Sequence, residues 1–381
     1  MSSLEDLGSV KAPPSATDRS GVTGFAAALH QAVEDCLSND DLLRARRQLH
    51  RKALIISLWF VAAYVGIVLA TGWIQGLAAC TSFAFAAAAI GFNIQHDANH
   101  NAFFDTHGVK RLTRANRLVG WSLFAIGADA NRWIYRHGTL HHGSPNVVGT
   151  DAELDLGALA RFAPGQSWYW WHRYQHLYIW PLYLFAAFEI ISSDLTSLVR
   201  SSRQANGRAR KPTFSDFASA LGSKLLAGFL LIGVPALVHP IWTVVLGGVA
   251  VLMMVGFLLA MVLQVAHIVE EAAFAEDKAS VPCRWHEWQI RTSIDFSHSR
   301  GFVARIIRWL CGGLDHQAEH HLYPRLPHTA YPLITDAVSE VCRQFGIERY
   351  THPNYRSALA SHYRLLRRLG KGPNTSGHAI E

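Results

Sequence analysis

Apolar residues along this chain gather into a few long uncharged runs instead of the short alternations that build soluble cores. Ala53 to Gly72 carries no charge over 20 residues, and Trp73 to Gln95 is a second such run behind a short turn. Each is long enough, at about 1.5 Å per residue, to cross a hydrocarbon core of about 30 Å. Leu225 to Val265 is uncharged over 41 residues and is broken around Pro235 and His239-Pro240, which predicts a second hairpin. The predicted spans are therefore about 53–72, 74–95, 222–239 and 242–265. Leu177 to Val199 is also apolar, but Glu189 and Asp194 sit inside it, so it is expected to lie in the interface or against protein without crossing.

The flanks are of a different character. Residues 1–25 show no apolar period and read as a disordered tail, with no apolar stretch after Met1 to make a signal peptide. Residues 26–52 repeat apolar positions at helical spacing (Ala28, Ala32, Cys36, Leu42, Leu43) and end in a basic set. With a span following at once, they predict a cytoplasmic amphipathic helix on the bilayer and not a nucleic-acid patch. Residues 371–381 read as a C-terminal tail. Basic residues crowd before the first predicted span, between the second and third, and after the fourth, and the turns near Gly72 and Pro240 have none. That asymmetry puts both termini and the long middle region on the cytoplasmic side. The expected architecture is an all-α integral membrane protein, two transmembrane helical hairpins under a cytoplasmic helical cap.

Composition agrees and adds one anomaly. The 381 residues are 50% hydrophobic and 17% charged, with a net charge of +7. Five dispersed cysteines without a CxxC pair argue against a disulfide framework, a zinc ribbon or a cysteine-held cluster. Histidine occurs 21 times, and eight copies fall into three groups: His96 and His100; His137, His141 and His142; His316, His320 and His321. Histidines four apart on a helix share a face. With four spans all three groups reach one side of the membrane, and His267 with Gln264 stands at the same interface. One zinc is saturated by three or four protein ligands, so this set suits two metals held mostly by imidazole. Asp97, Asp151, Glu153 and Glu319 read as acceptors for the outer ring N–H groups. The His172/His176 pair reads as coincidence, and the aromatic run from Trp168 to Trp180 as an interfacial belt.

HGTLHHGSPNVVGTDAEL (His137 to Leu154), GGLDHQAEHHLYPRLPH (Gly312 to His328) and SHYRLLRRLG (Ser361 to Gly370) resemble the membrane fatty acid desaturases, in the front-end, linoleoyl-CoA desaturase-like branch. The similarity runs from about His50 to Gly370, making 53–370 a desaturase domain. It implies a non-haem di-iron centre that uses O2 and two electrons to take two hydrogens from adjacent methylenes of a long acyl chain, presented as an acyl thioester of coenzyme A or as an acyl lipid, with coenzyme A favoured. By the resemblance the ligands are His96, His100, His137, His141, His142, His267, His320 and His321, and Asn146 belongs to the second motif. Where the branch has an aromatic residue and then Gln, this chain has His316 and Gln317, so either residue remains a candidate ligand. No fused haem domain is expected before the first span, so electrons are expected from a ferredoxin or a b-type cytochrome with its reductase. The same centre could instead hydroxylate the chain or form a triple or terminal bond. A transporter is disfavoured by the long uncharged runs, and a zinc hydrolase by the absence of HExxH.

Overall fold

The computed structural model describes residues 24–106, 109–199, 202–203, 209–210, 212–296 and 301–372. The predicted terminal tails lie outside these residues except for Gly24, Phe25, Lys371 and Gly372.

Four helices among the described residues are long and apolar enough to cross a membrane: Asn39–Leu69, Trp73–Asn99, Phe214–Leu237 and Ile241–His267. The uncharged windows of the sequence fall on these helices, and the hairpin turns occupy residues 70–72 and 238–240. The segment read as one amphipathic helix over 26–52 is instead divided. Phe25–Cys36 is a separate helix, and residues 39–52 are the first turns of the first span. Local hydrogen bonding explains the break. Ser38 Oγ accepts from the Asp41 backbone N–H, and the Asp41 carboxylate accepts from the Ser38 N–H, a reciprocal cap that starts a new helix. Asp40 and Asp41 in its first turn also suit the positive end of the helix dipole.

Residues 177–199 form no helix long enough to cross. They lie in two short helices, Gln175–Tyr183 and Ala186–Val199, laid against the fourth span. Gly256 of that span permits the close approach, since a Cβ there would stand 2.7 Å from the Ala187 nitrogen. The carboxylates that forbade a span are paired with protein. Asp194 binds Lys224 Nζ at 2.6 Å and the Asp129 N–H at 2.8 Å, and Glu189 faces Arg136 at 3.4 Å. Among the described residues the only strands are Ser202–Arg203 and Ala209–Arg210, a two-residue antiparallel pair.

Two spans contain widened π-turns, Gly91–Gln95 and Phe229–Gly233. In the first, the buried Asn93 amide donates to the carbonyls of Ala89 and Leu310, both at 2.8 Å, so a side chain from inside the span ties it to the cap. The cap is built from Trp285–Thr292, Phe302–Leu310, Gln317–Leu322, Tyr331–Gln344 and Tyr355–Leu369. Phe302–Leu310 turns Phe302, Val303 and Ile306 outward, a face made for the bilayer interface. Leu29 and Val33 of the first helix pack with Ile334 and Val338 in the cap core.

Gly312 joins cap to span. Its φ is +63°, and a Cβ would meet the Phe92 carbonyl oxygen at 2.2 Å. Gly312→Ala should cost about 1–2 kcal/mol in backbone strain alone and more through the clash. Its unfolding midpoint in detergent, read by size-exclusion after heating, should fall by several degrees. Gly222→Ala, inside a helix and with nothing within 4 Å of the added methyl, should not lower it.

Candidate metal centre

Four chain segments deliver the imidazoles. The last turn of the second span, His96–Asn99, carries His96, with His100 at its C-cap, and the fourth span ends on His267. A widened turn, Ile134–His141, holds His137 and His141 and is followed by His142. The short helix Gln317–Leu322 carries His320 and His321. All eight rings are buried.

Their ligating nitrogens fall into overlapping groups whose members lie within 4.8 Å of one another: His96, His100, His137 and His320; His141, His267 and His321; and His142, His320 and His321. His267 Nε2 is 3.2 Å from His141 Nε2 and 3.1 Å from His321 Nε2, and His137 Nε2 is 3.2 Å from His142 Nε2. The Gln317 amide reaches His267 Nε2 at 2.8 Å.

Outer partners orient these rings. The Nδ1 atoms of His137 and His141 meet Glu153 and Asp151 at 2.9 and 3.0 Å. His267 Nδ1 donates to the Thr292 carbonyl and His321 Nδ1 to Gln289 Oε1, each at 2.8 Å, and His320 Nδ1 lies 3.2 Å from the Tyr331 hydroxyl. A proton held on the outer nitrogen leaves the lone pair of Nε2 facing inward. Several inward nitrogens, including Nε2 of His96, His100 and His320, meet no protein donor. Lone pairs facing one another about 3 Å apart repel, and a cation between them turns that repulsion into ligation. The donor set therefore fits metal.

Electrostatics agrees. Burial, and then the neighbouring imidazoles, hold His137, His142, His320 and His321 well below the usual histidine range, so they stay neutral. Burial also acts to lower His141, but Asp151 and Glu153 outweigh it and carry the ring up to about 9. The same carboxylates make His141 a strong donor to a metal.

The remaining sequence candidates are placed differently. His316 belongs to none of these groups, because its Nδ1 faces the Thr335 hydroxyl at 3.0 Å and its Nε2 lies 3.8 Å from Asp315. Glu319 was expected to hold a ligand ring and does not. It pairs with Arg349 at 2.7 Å, alongside Asp295, and burial together with Asp295 pushes its pKa up to about 7 against the pull of Arg349. Asp97 accepts from the His328 backbone and ring, at 3.0 and 2.9 Å, and stands 3.8 Å from His96 Nδ1. Asn146, at φ +56°, donates to the carbonyls of His267 and Ala273, fixing the exit of the fourth span. Gln264 touches no ring and lines a channel. Sequence reasoning assigned no role to Thr292, Gln289, Tyr331 or His328. A backbone acceptor such as Thr292 leaves no residue signature, but His328 stands inside the third motif. His172 is structural, its ring bonded to the Ala158 carbonyl at 2.9 Å.

An apolar cavity between the spans and the cap ends on His96 and His137, walled by Phe92, Leu123, Leu263 and Leu314. A second, more polar cavity shares Trp133, His137, Ile190, Leu259 and Leu263 with it and opens past Leu156, Leu159 and Phe185. Trp133 stacks on His137 at 4.4 Å and lines both cavities beside it. The site is suited to holding a long apolar chain beside an oxidising metal.

Comparison with known proteins agrees. The model of the fatty acid desaturase family matches residues 71–353. The sn-1 linoleoyl-lipid 6-desaturase of Synechocystis sp. is 33% identical over 356 residues, 91% of this chain and 96% of that protein. The enzyme of the same description from Arthrospira platensis is 32% identical over 94% of this chain and 95% of its own. The acyl-lipid (8-3)-desaturase of Physcomitrium patens is 29% identical over 91% of this chain and 72% of its own. Four spans, a buried imidazole cluster at their ends and these matches together place the chain in the fatty acid desaturase family, as a membrane oxidoreductase that desaturates fatty acyl chains.

Proposed function

We propose that the enzyme holds two iron ions and uses O2 to introduce a double bond into the acyl chain of a membrane lipid, with its site on the cytoplasmic face. The carrying observation is that two adjacent nitrogen groups, joined through His320 and His321, lie against one apolar channel at His96 and His137. His96, His100, His137 and His320 would hold one ion. His141, His267 and His321 would hold the other, with Gln317 beside them and His142 between the two sets. Bound iron supplies an oxidant strong enough to take hydrogen from an unactivated methylene. The protein's own part is orientation and dryness. Glu153, Asp151, Thr292, Gln289 and Tyr331 hold the rings in one tautomer, and the channel walls keep the chain extended and exclude water.

The sequence favoured a coenzyme A thioester, but two observations support an acyl lipid. The relatives named above act on linoleoyl-lipid or acyl-lipid substrates. Leu159 and Phe185 at the channel mouth are exposed, as are Trp170, Tyr174 and Leu177 of the aromatic segment. A mouth that exposes apolar side chains beside such a belt receives its substrate sideways from the bilayer. Reducing O2 to water takes two electrons beyond those of the substrate, and we assign their supply to a ferredoxin or a b-type cytochrome with its reductase.

Purified iron-loaded enzyme supplied with that electron chain and a panel of acyl lipids and thioesters should release product two mass units lighter, from lipids first. Product heavier by about sixteen units and without an alkene, across the panel, would reassign it to hydroxylation. His141→Ala and His320→Ala should lose most bound iron and all activity, whereas His316→Tyr and His172→Ala should retain iron; loss of iron from His316→Tyr alone would make that ring a ligand. For orientation, single cysteines at positions 73 and 277 of a cysteine-free protein should react with impermeant reagents from opposite sides of the membrane. Reaction of position 277 from the outer side would refute a cytoplasmic site.

A further inference from the structure

Three cavities follow one another through this protein. The polar one at the mouth shares its inner wall with the apolar one at His96 and His137, which in turn shares Gly91, Leu123 and Ile126 with a small cavity closed by Phe60, Ala87 and Ser122. The character of the walls gives the channel a direction, from charged groups in the first cavity, past the imidazoles, to an apolar end. An acyl chain has the same polarity, with its ester at one end and its methyl at the other.

The charged groups at the mouth are mostly engaged. Asp129 caps the Asn131 N–H at 2.9 Å, Asp194 binds Lys224, Glu153 holds His137, and Asp155 accepts from the Gly157 N–H at 2.9 Å. Arg136 spends its donors on Ser193 at 2.7 Å, Glu189 and the Ala152 carbonyl. Arg132 differs. It lies one helical turn before Arg136, its Cζ stands 5.4 Å from the Tyr135 ring centroid, and its Nε–H is buried without an acceptor. A buried donor left unpaired on the wall of a cavity is complementary to an oxygen that arrives with the ligand.

Resting on the function proposed above, we propose that Arg132 determines regiospecificity by donating to the ester carbonyl of the bound acyl chain, so that the double bond is counted from the carboxyl end. Arg132 and His137 belong to one continuous run, Ala130–Trp133 and Ile134–His141. The five-residue interval advances at most about 7.5 Å along its axis. One rigid element thus carries both the anchor for the carbonyl and a wall of the reacting position, and the number of methylenes between them follows from it. The apolar end near Ser122 and Phe60 receives the methyl end, and the side chains there limit total length without setting the position of the bond.

The test has a binding arm and a product arm. Binding is measured on iron-free protein in detergent, with an acyl lipid and with the matching ether lipid, which lacks the carbonyl. Arg132→Gln should weaken binding of the ester lipid about tenfold and leave the ether lipid unchanged, while wild type should bind the ether lipid as weakly as the variant binds the ester. Arg132→Lys should restore part of the loss. In the product arm, Arg132→Gln should spread the double bond over neighbouring carbons, and Ser122→Leu should exclude the longest chains yet keep the position counted from the carboxyl end. Equal ester and ether binding in wild type, an unchanged single product from Arg132→Gln, or a displaced bond in Ser122→Leu would each overturn the proposal. If wild type desaturates nothing in the panel, the functional reading fails, and the binding arm still decides the role of Arg132.

Discussion

Eight imidazoles packed ring against ring do not attract one another. Each inward nitrogen has left water, and an unsatisfied buried polar group costs roughly 1–3 kcal/mol. His96 and His320, with ring centroids 4.4 Å apart, and His142 and His321, at 4.3 Å, would separate if their backbones were free to move. Much of the surrounding structure acts to prevent that separation, and ligation of a metal makes the arrangement favourable. The site is dry, and in a dry site a partner on the outer side fixes a ring, as it does for His137, His141, His267, His320 and His321.

That requirement explains features that look unrelated in the chain. The widened turn at Gly91–Gln95 carries the second span past its normal pitch just before His96, and Asn93 fastens the turn to Leu310. Gly312 lets the third histidine segment touch the same turn backbone to backbone. Behind Gln317–Leu322, Asp295 accepts from the Ala318 N–H at 3.1 Å and also pairs with Arg349, which reaches Glu319. A buried ion pair of this kind is weak evidence for stability, but it specifies one placement of the helix that carries His320 and His321. Asn146 does the same for the end of the fourth span through the His267 carbonyl.

What the sequence made legible follows from the range of the interaction concerned. Spans are read from runs of uncharged residues, a local property, and the four were visible in outline. Imidazole pairs at helical spacing are equally local, and His96/His100 and His137/His141 stood out. The split at Ser38 was also local, in the reciprocal Ser38–Asp41 pattern, but the continuous amphipathic period around it masked the cap. Glu319 illustrates the opposite limit. His320 and His321 beside it face the imidazole cluster, yet its carboxylate turns to Arg349, 30 residues away, and no spacing rule indicates a partner contributed by another element. Thr292 is less visible still, since a carbonyl acceptor carries no side-chain signature. His316 and Gln317 were indistinguishable by spacing. The start of the helix at Gln317 separates them, turning one side chain to Thr335 and the other to His267.

The folded segment 175–199 connects these two scales. Had it crossed the bilayer, the second and third histidine groups would lie on opposite faces. Glu189 and Asp194 deny it that path, and its two short helices instead lie along the fourth span, where Tyr183, Ala187 and Ile190 become channel wall. Asp194, too costly in lipid to span, is the residue that holds the Asp129 N–H and so seats the helix bearing Arg132 and Trp133. The carboxylates that make the segment unfit to span thus also build the wall of a cavity that reaches the imidazoles.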